Sequence, residues 1–168
     1  MQVPVDDLMR YHCPRWNELP DIELYVDQVV SLLQNNIITL MKDKNSPVIT
    51  ASMINNYVKQ GVLEAPIKKK YNKKHIAYLF VICVFKRLMS ISEIGDSINI
   101  MQKRYSTEDA YNMFCDELEK ALKDTLTPEG KPKNILAETD VREIATLRAI
   151  VNAVASSILV DKLISLRK

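Results

Sequence analysis

Apolar residues recur at three- and four-residue spacing along most of this chain, a period that predicts a mainly α-helical protein. After Pro20, Asp21 is a good N-cap, and Ile22, Tyr25, Val26, Val29, Leu32, Leu33, Ile37 and Leu40 mark a long helix over 22–41. The polar stretch 43–47 reads as the loop that ends it. Thr50 then caps a short helix over 51–60, which Gly61 terminates where a left-handed residue is wanted. Met53, Ile54 and Tyr57 form its single narrow apolar stripe, leaving Ser52, Asn55, Asn56 and Lys59 outward. Residues 62–74, with Pro66 and a run of lysines, read as an extended loop or small two-stranded ribbon. The stretch 75–89 is apolar almost throughout, and its length favours a buried helix over a strand. Ser90 or Ser92 caps a further short helix carrying Ile94 and Ile98.

Beyond Tyr105 two long helices are expected. Ser106 or Thr107 caps the first, with Tyr111, Phe114, Cys115, Leu118 and Leu122 on one face. A proline-bearing linker over 127–137 separates it from the second, a helix of about 28 residues, near 40 Å long, capped by Thr139. The stripe of that second helix (Ile144, Leu147, Ile150, Val151, Val154, Ile158, Leu159 and Leu163) is wide enough to meet more than one neighbour. The chain therefore divides into an N-terminal arm (1–20), a central domain (21–104) and a C-terminal helical extension (105–168).

Charge changes the picture more than composition does. The net charge of +2 looks neutral, yet residues 59–74 hold six lysines (Lys59, Lys68, Lys69, Lys70, Lys73 and Lys74) against one acid, Glu64. The rest of the chain holds 17 basic and 20 acidic groups, and residues 1–36 hold six acids against two bases. A compact positive patch on a slightly acidic body is the electrostatic footprint of a polyanion site, or else a solvated lysine loop.

Chemistry is sparse. Three scattered cysteines fit a reducing compartment rather than a disulfide framework. Cys83 and Cys115 lie on apolar faces and read as core residues, and Trp16 in the stretch 12–16 reads as an anchor for the N-terminal arm. No ligand spacing for a metal, phosphate loop or nucleophile elbow is present, and two histidines leave little scope for imidazole catalysis. Asp116 and Glu117, on a helix with Lys120 and Lys123, read as solvated i,i+4 pairs. These features predict a non-enzyme without cofactor or metal. The N-terminus has no apolar stretch of signal length, and the charge-free run 76–85 is about half a membrane span, so a cytoplasmic protein without membrane attachment is expected.

Residues 49–94 resemble the winged helix-turn-helix of MerR-type transcription regulators. Thr50 matches the cap of the recognition helix, Tyr57 its aromatic, and Gly61, Val62 and Leu63 its turn. Lys69 and Tyr71 match the Arg-x-Tyr of the basic wing, and residues 88–94 match the closing Ser-initiated segment. Where the family carries Arg and a second Tyr, this chain has Asn55 and Asn56. The whole chain, with its opening YHCPRWNELP and its core NNYV…KKKYN…HIAYL, also resembles an uncharacterised bacterial family catalogued as a domain of unknown function.

The resemblance implies a winged-helix core with a small two-stranded wing, flanked by a long N-terminal helix and two C-terminal helices. It implies double-stranded DNA as partner, met by Thr50, Ser52, Asn55, Asn56, Tyr57 and Lys59 on the helix. Lys68, Lys69, Lys70, Tyr71, Lys73 and Lys74 would meet it on the wing. A homodimer through the C-terminal helices is expected with it, while no effector ligand is specified. The rival expectation is a helical protein-interaction module of winged-helix shape that does not read DNA.

Overall fold

The computed structural model describes residues 5–127, 129–130 and 134–166, and within them the protein is mainly helical with one two-stranded antiparallel sheet. Eight helices are described in chain order: α1 (Asp6–Met9), α2 (Val26–Ile37), α3 (Ala51–Lys59), α4 (Lys73–Phe85), α5 (Ile91–Gln102), α6 (Thr107–Leu126), α7 (Ile135–Glu138) and α8 (Arg142–Ser165). The strands are β1 (Leu24–Tyr25) and β2 (Lys70–Tyr71).

α4 is the centre of the molecule. Ile76, Ala77, Leu79, Phe80, Ile82, Cys83, Val84 and Phe85 are all buried, so almost every face of the helix is covered. A helix apolar all round has no solvent side, and α2, α5, α6, α8 and β2 all pack on it. Asn72 starts the helix by accepting the His75 N–H, while its own N–H donates to His75 Nδ1 at 3.0 Å. Phe85 meets Phe114 of α6 edge to face, with ring centroids 5.6 Å apart.

The expected caps at Ser90 and Ser106 are present, accepting from Glu93 and Asp109 N–H. Two expected helices are different. The one placed over 22–41 begins only at Val26, with the Gln28 side chain accepting the Tyr25 N–H at 2.9 Å. Asp21 does not cap it and instead pairs with Lys73. Ile22 and Tyr25 face solvent, so their fit to the helical period was accidental; Leu24 is held by strand pairing to Tyr71. The C-terminal helix expected from Thr139 begins only at Arg142, because Thr139 is extended (φ −157°) and its hydroxyl accepts the Val141 N–H, while the short α7 lies before it, in the expected linker. Pro128, Lys131 and Pro132 of the expected linker, and Arg167 at the far end, lie outside the described residues.

α6 and α8 pack along each other within one chain. Leu118, Ala121 and Leu122 of α6 and Leu147, Val151, Val154 and Ile158 of α8 are buried. α8 is also long and apolar enough, by length and composition alone, to cross a membrane. Asp116 and Glu117 do not form the expected pairs within α6. Arg15 lies 2.8 Å from Asp116 and Arg148 lies 2.9 Å from Glu117, so both acids hold tertiary contacts.

Candidate nucleic-acid interface

The two faces of α3 have different jobs. Ile54 and Tyr57, three residues apart, turn into the core and seat the helix. Ser52, Asn55, Asn56 and Lys59, at positions i, i+3, i+4 and i+7, form one exposed polar stripe. Thr50 Oγ1 accepts the Met53 N–H at 3.2 Å, so its hydroxyl is already engaged in starting the helix. At the other end Gly61 adopts φ 73°, and the Tyr57 carbonyl accepts from both Val62 and Leu63. Burial raises the Tyr57 phenol above its ordinary pKa, with the nearby Cys83 adding to the effect. Tyr57 thus supports the stripe from beneath and does not belong to it.

Six residues after the glycine, the chain makes a tight hairpin. Ile67 and Lys70 exchange both backbone hydrogen bonds, at 3.2 and 2.9 Å, across Lys68 and Lys69. Both lysines have positive φ, 50° and 64°, the pattern of a type I′ turn. Asn-Gly is the usual occupant of such a turn because each ordinary L-residue held there costs about 1–2 kcal/mol. The small sheet differs from the ribbon expected over 62–74. β2 does pair antiparallel, but with β1 from the N-terminal side, Leu24 opposite Tyr71 and Tyr25 opposite Lys70.

The six lysines fall into three environments. Lys59, Lys68 and Lys69 are exposed and make no ion pair among the described residues. Lys70 is half-buried, its Nζ 5.5 Å from the centre of the Tyr25 ring. Lys73 and Lys74 have carboxylate partners. Lys73 pairs with Asp21 and lies 5.6 Å from the Trp16 ring centre, while Lys74 donates to Glu64 at 2.6 Å and lies 5.6 Å from that of Tyr78. Tyr71 is buried, with its ring edge against His75 at 5.4 Å, so it shapes the sheet and has no surface to offer a phosphate. What remains accessible is the α3 stripe and the lysine-tipped turn.

Sequence reasoning missed how firmly the N-terminal arm is held. Arg15 donates to Glu119 at 2.6 Å and to the Cys13 carbonyl at 2.6 Å, and the Cys13 N–H donates to the same Glu119 at 2.9 Å. Tyr111 donates to the Pro14 carbonyl at 2.7 Å, and the Trp16 N–H to Asn112 at 2.9 Å. Trp16, read as an anchor for the arm, does pack against the core, and the acid and amide positions spaced along one side of α6 were a further signal. All three cysteines are buried, and burial pushes the Cys83 thiol up to about 12. Among the described residues no group of three or more His, Cys, Asp or Glu is arranged to hold a metal ion.

Taken together, these features define a mainly helical domain that carries a polar helix stripe and a strained, lysine-tipped hairpin close together in the chain. The protein belongs to the DUF1836 family, described as a domain of unknown function, whose profile matches residues 14–114. That span runs from the anchored arm to the middle of α6 and contains the sheet, α3 and every one of the six lysines. No curated protein and no solved structure matches the chain.

Proposed function

We propose that this protein is a cytoplasmic, non-catalytic DNA-binding transcription regulator with a MerR-like winged-helix core. In this reading α3 enters the major groove with Ser52, Asn55 and Asn56 toward base edges, where an asparagine amide can pair bidentately with adenine. Lys59, Lys68 and Lys69 hold phosphates, giving affinity that depends on salt and little on sequence. Lys70, Lys73 and Lys74 fix the turn and sheet in place. The observation that supports this best is the pair of lysines at the two left-handed positions of the 67–70 turn. A residue pair that strains the backbone where Asn-Gly would relax it is explained by a need for charge at the tip.

Duplex recognition by one short helix favours a dimer, and the reading includes one. The inner faces of α6 and α8 are consumed against each other. The face left for a second copy is the outer side of α8, where Val160 and Ile164 are exposed.

Fluorescence anisotropy with a mixed-sequence duplex tests the reading. Wild type should bind with a log–log salt slope of about −3 per protomer, from three phosphate contacts on each, and changing Lys68, Lys69 and Lys70 to Glu should abolish binding. Binding that is absent, or indifferent to salt and to those changes, overturns it. A second reading, a protein-interaction module that does not read DNA, is favoured by the acid partners of Lys73 and Lys74 and by the lack of arginine on α3. Recovery of one acidic protein partner after nuclease treatment, from a wild type that ignores duplex DNA, would select it.

A further inference from the structure

The small sheet has one covered face and one open face. Leu24 and Tyr71, paired across it, are buried. On the other face Lys70 is the cross-strand partner of both Tyr25 and Ile67, so the three side chains stand in one row. Tyr25 is 54 % exposed and Ile67 64 % exposed, and they flank a lysine whose Nζ lies 5.5 Å from the centre of the tyrosine ring. Lys68 and Lys69 continue from this row as the tip of the turn, exposed and without ion partners among the described residues. Two large apolar side chains held outward side by side on the sheet, with cations beside them, form a contiguous patch suited to contact.

We infer that the Tyr25–Lys70–Ile67 row is an apolar contact surface for the deoxyribose edge of a DNA duplex, flanked by phosphates held on Lys68 and Lys69. The inference rests on the DNA-binding reading and adds residues from β1, a strand outside the helix and turn. Charge selects the occupant: the cations beside the row lack acid partners, so it fits a polyanion and not an acidic patch of its own chain. Size decides against a membrane, since two apolar side chains bury far less than the face of an interfacial helix. The wall of a DNA groove offers sugar carbons between phosphates, and apolar side chains lie against or wedge into it in minor-groove binders. Tyr25 adds a stiff aromatic surface, and Lys70, held over its ring, keeps a positive charge beside the sugar–phosphate edge.

The test compares wild type, Tyr25→Ser with Ile67→Ser, and Lys68→Glu with Lys69→Glu, by anisotropy on the mixed-sequence duplex across a salt series. Serine is a good N-cap, so Tyr25→Ser leaves α2 its start, and circular dichroism melting confirms that each variant folds. The apolar double variant should lose about tenfold in affinity for each residue while its salt slope stays that of wild type. The lysine double variant should flatten the slope by about two contacts. Wild type that binds duplex while the apolar variant binds equally well overturns this inference and leaves the DNA-binding reading standing. Wild type that binds no duplex overturns both. Cosedimentation with vesicles of anionic lipid, abolished by the apolar variant when duplex binding is absent, assigns the row to a membrane surface and likewise overturns the inference.

Discussion

The Lys74 ammonium lies 2.6 Å from the Glu64 carboxylate, tying the start of α4 to the segment that follows α3. The one acid in the lysine-rich stretch therefore has a fixed partner, and with Lys73 paired to Asp21 the positive charge left over sits at Lys59, Lys68, Lys69 and Lys70. The hydrogen bond from Lys74 holds the Glu64 carboxyl below its usual range and Lys74 above its own.

Glu64→Gln removes that partner and frees Lys74. Stability should change by no more than about 0.5 kcal/mol, because both groups are largely solvated. Affinity for duplex DNA should rise several-fold at low salt, with the slope steeper by about one contact. An unchanged slope in the anisotropy series would place Lys74 away from the phosphates.

Replacing Lys68 with Asn and Lys69 with Gly puts the favoured residues into a turn whose two central φ angles are positive. The variant should be more stable by about 1–2 kcal/mol and bind duplex less tightly. Thermal melting and anisotropy on the same preparation check both halves. A variant that gains stability and keeps full affinity would show that the lysines serve no polyanion.

Glu119 carries a pH dependence. Burial raises its carboxyl, but the Arg15 guanidinium and the Cys13 N–H outweigh burial and leave it below the usual range. A carboxyl depressed in the folded state stabilises above its unfolded pKa, about 4.3, and that contribution is lost as pH falls through the folded value. The urea midpoint of wild type should therefore drop between about pH 5 and pH 3. Glu119→Gln should cost about 1–2 kcal/mol at neutral pH and show a shallower acid limb. Parallel acid limbs would remove Glu119 as the cause.

Arg87 joins three parts of the fold. It donates to the Leu40 carbonyl at 2.7 Å and to Asp161 of α8 at 2.5 Å from the residues just after α4. Arg87→Ala leaves Asp161, itself mostly buried, with Lys42 at 3.6 Å as its one ion partner among the described residues, and should cost about 3 kcal/mol in chemical denaturation. Arg87→Lys keeps the charge but not the planar fork, so it should recover only part of the loss.

Several elements were legible in the chain. Thr50, Ser90 and Ser106 cap where expected because a cap is a bond to a residue three positions on. Gly61 takes the left-handed conformation its place after α3 suggested. The burial of α4 could be read because an apolar run without a polar face needs cover on every side. The candidate interface was legible only in part. Lysine is identified by its charge, but the sequence does not say which lysines meet an acid, and Asp21 is far from Lys73 along the chain.

Period and caps are local, so the sequence by itself determined a mainly helical protein, the polar stripe of α3 and the concentration of positive charge after it. Tertiary structure alone decided that Tyr71 turns inward, that two lysines are paired, and that Leu24 and Tyr25 leave the helical pattern to become a strand. A strand of two residues has too few positions to show a period, and its stability comes from partners elsewhere in the chain. The open row of Tyr25, Lys70 and Ile67 exists only once that pairing has formed.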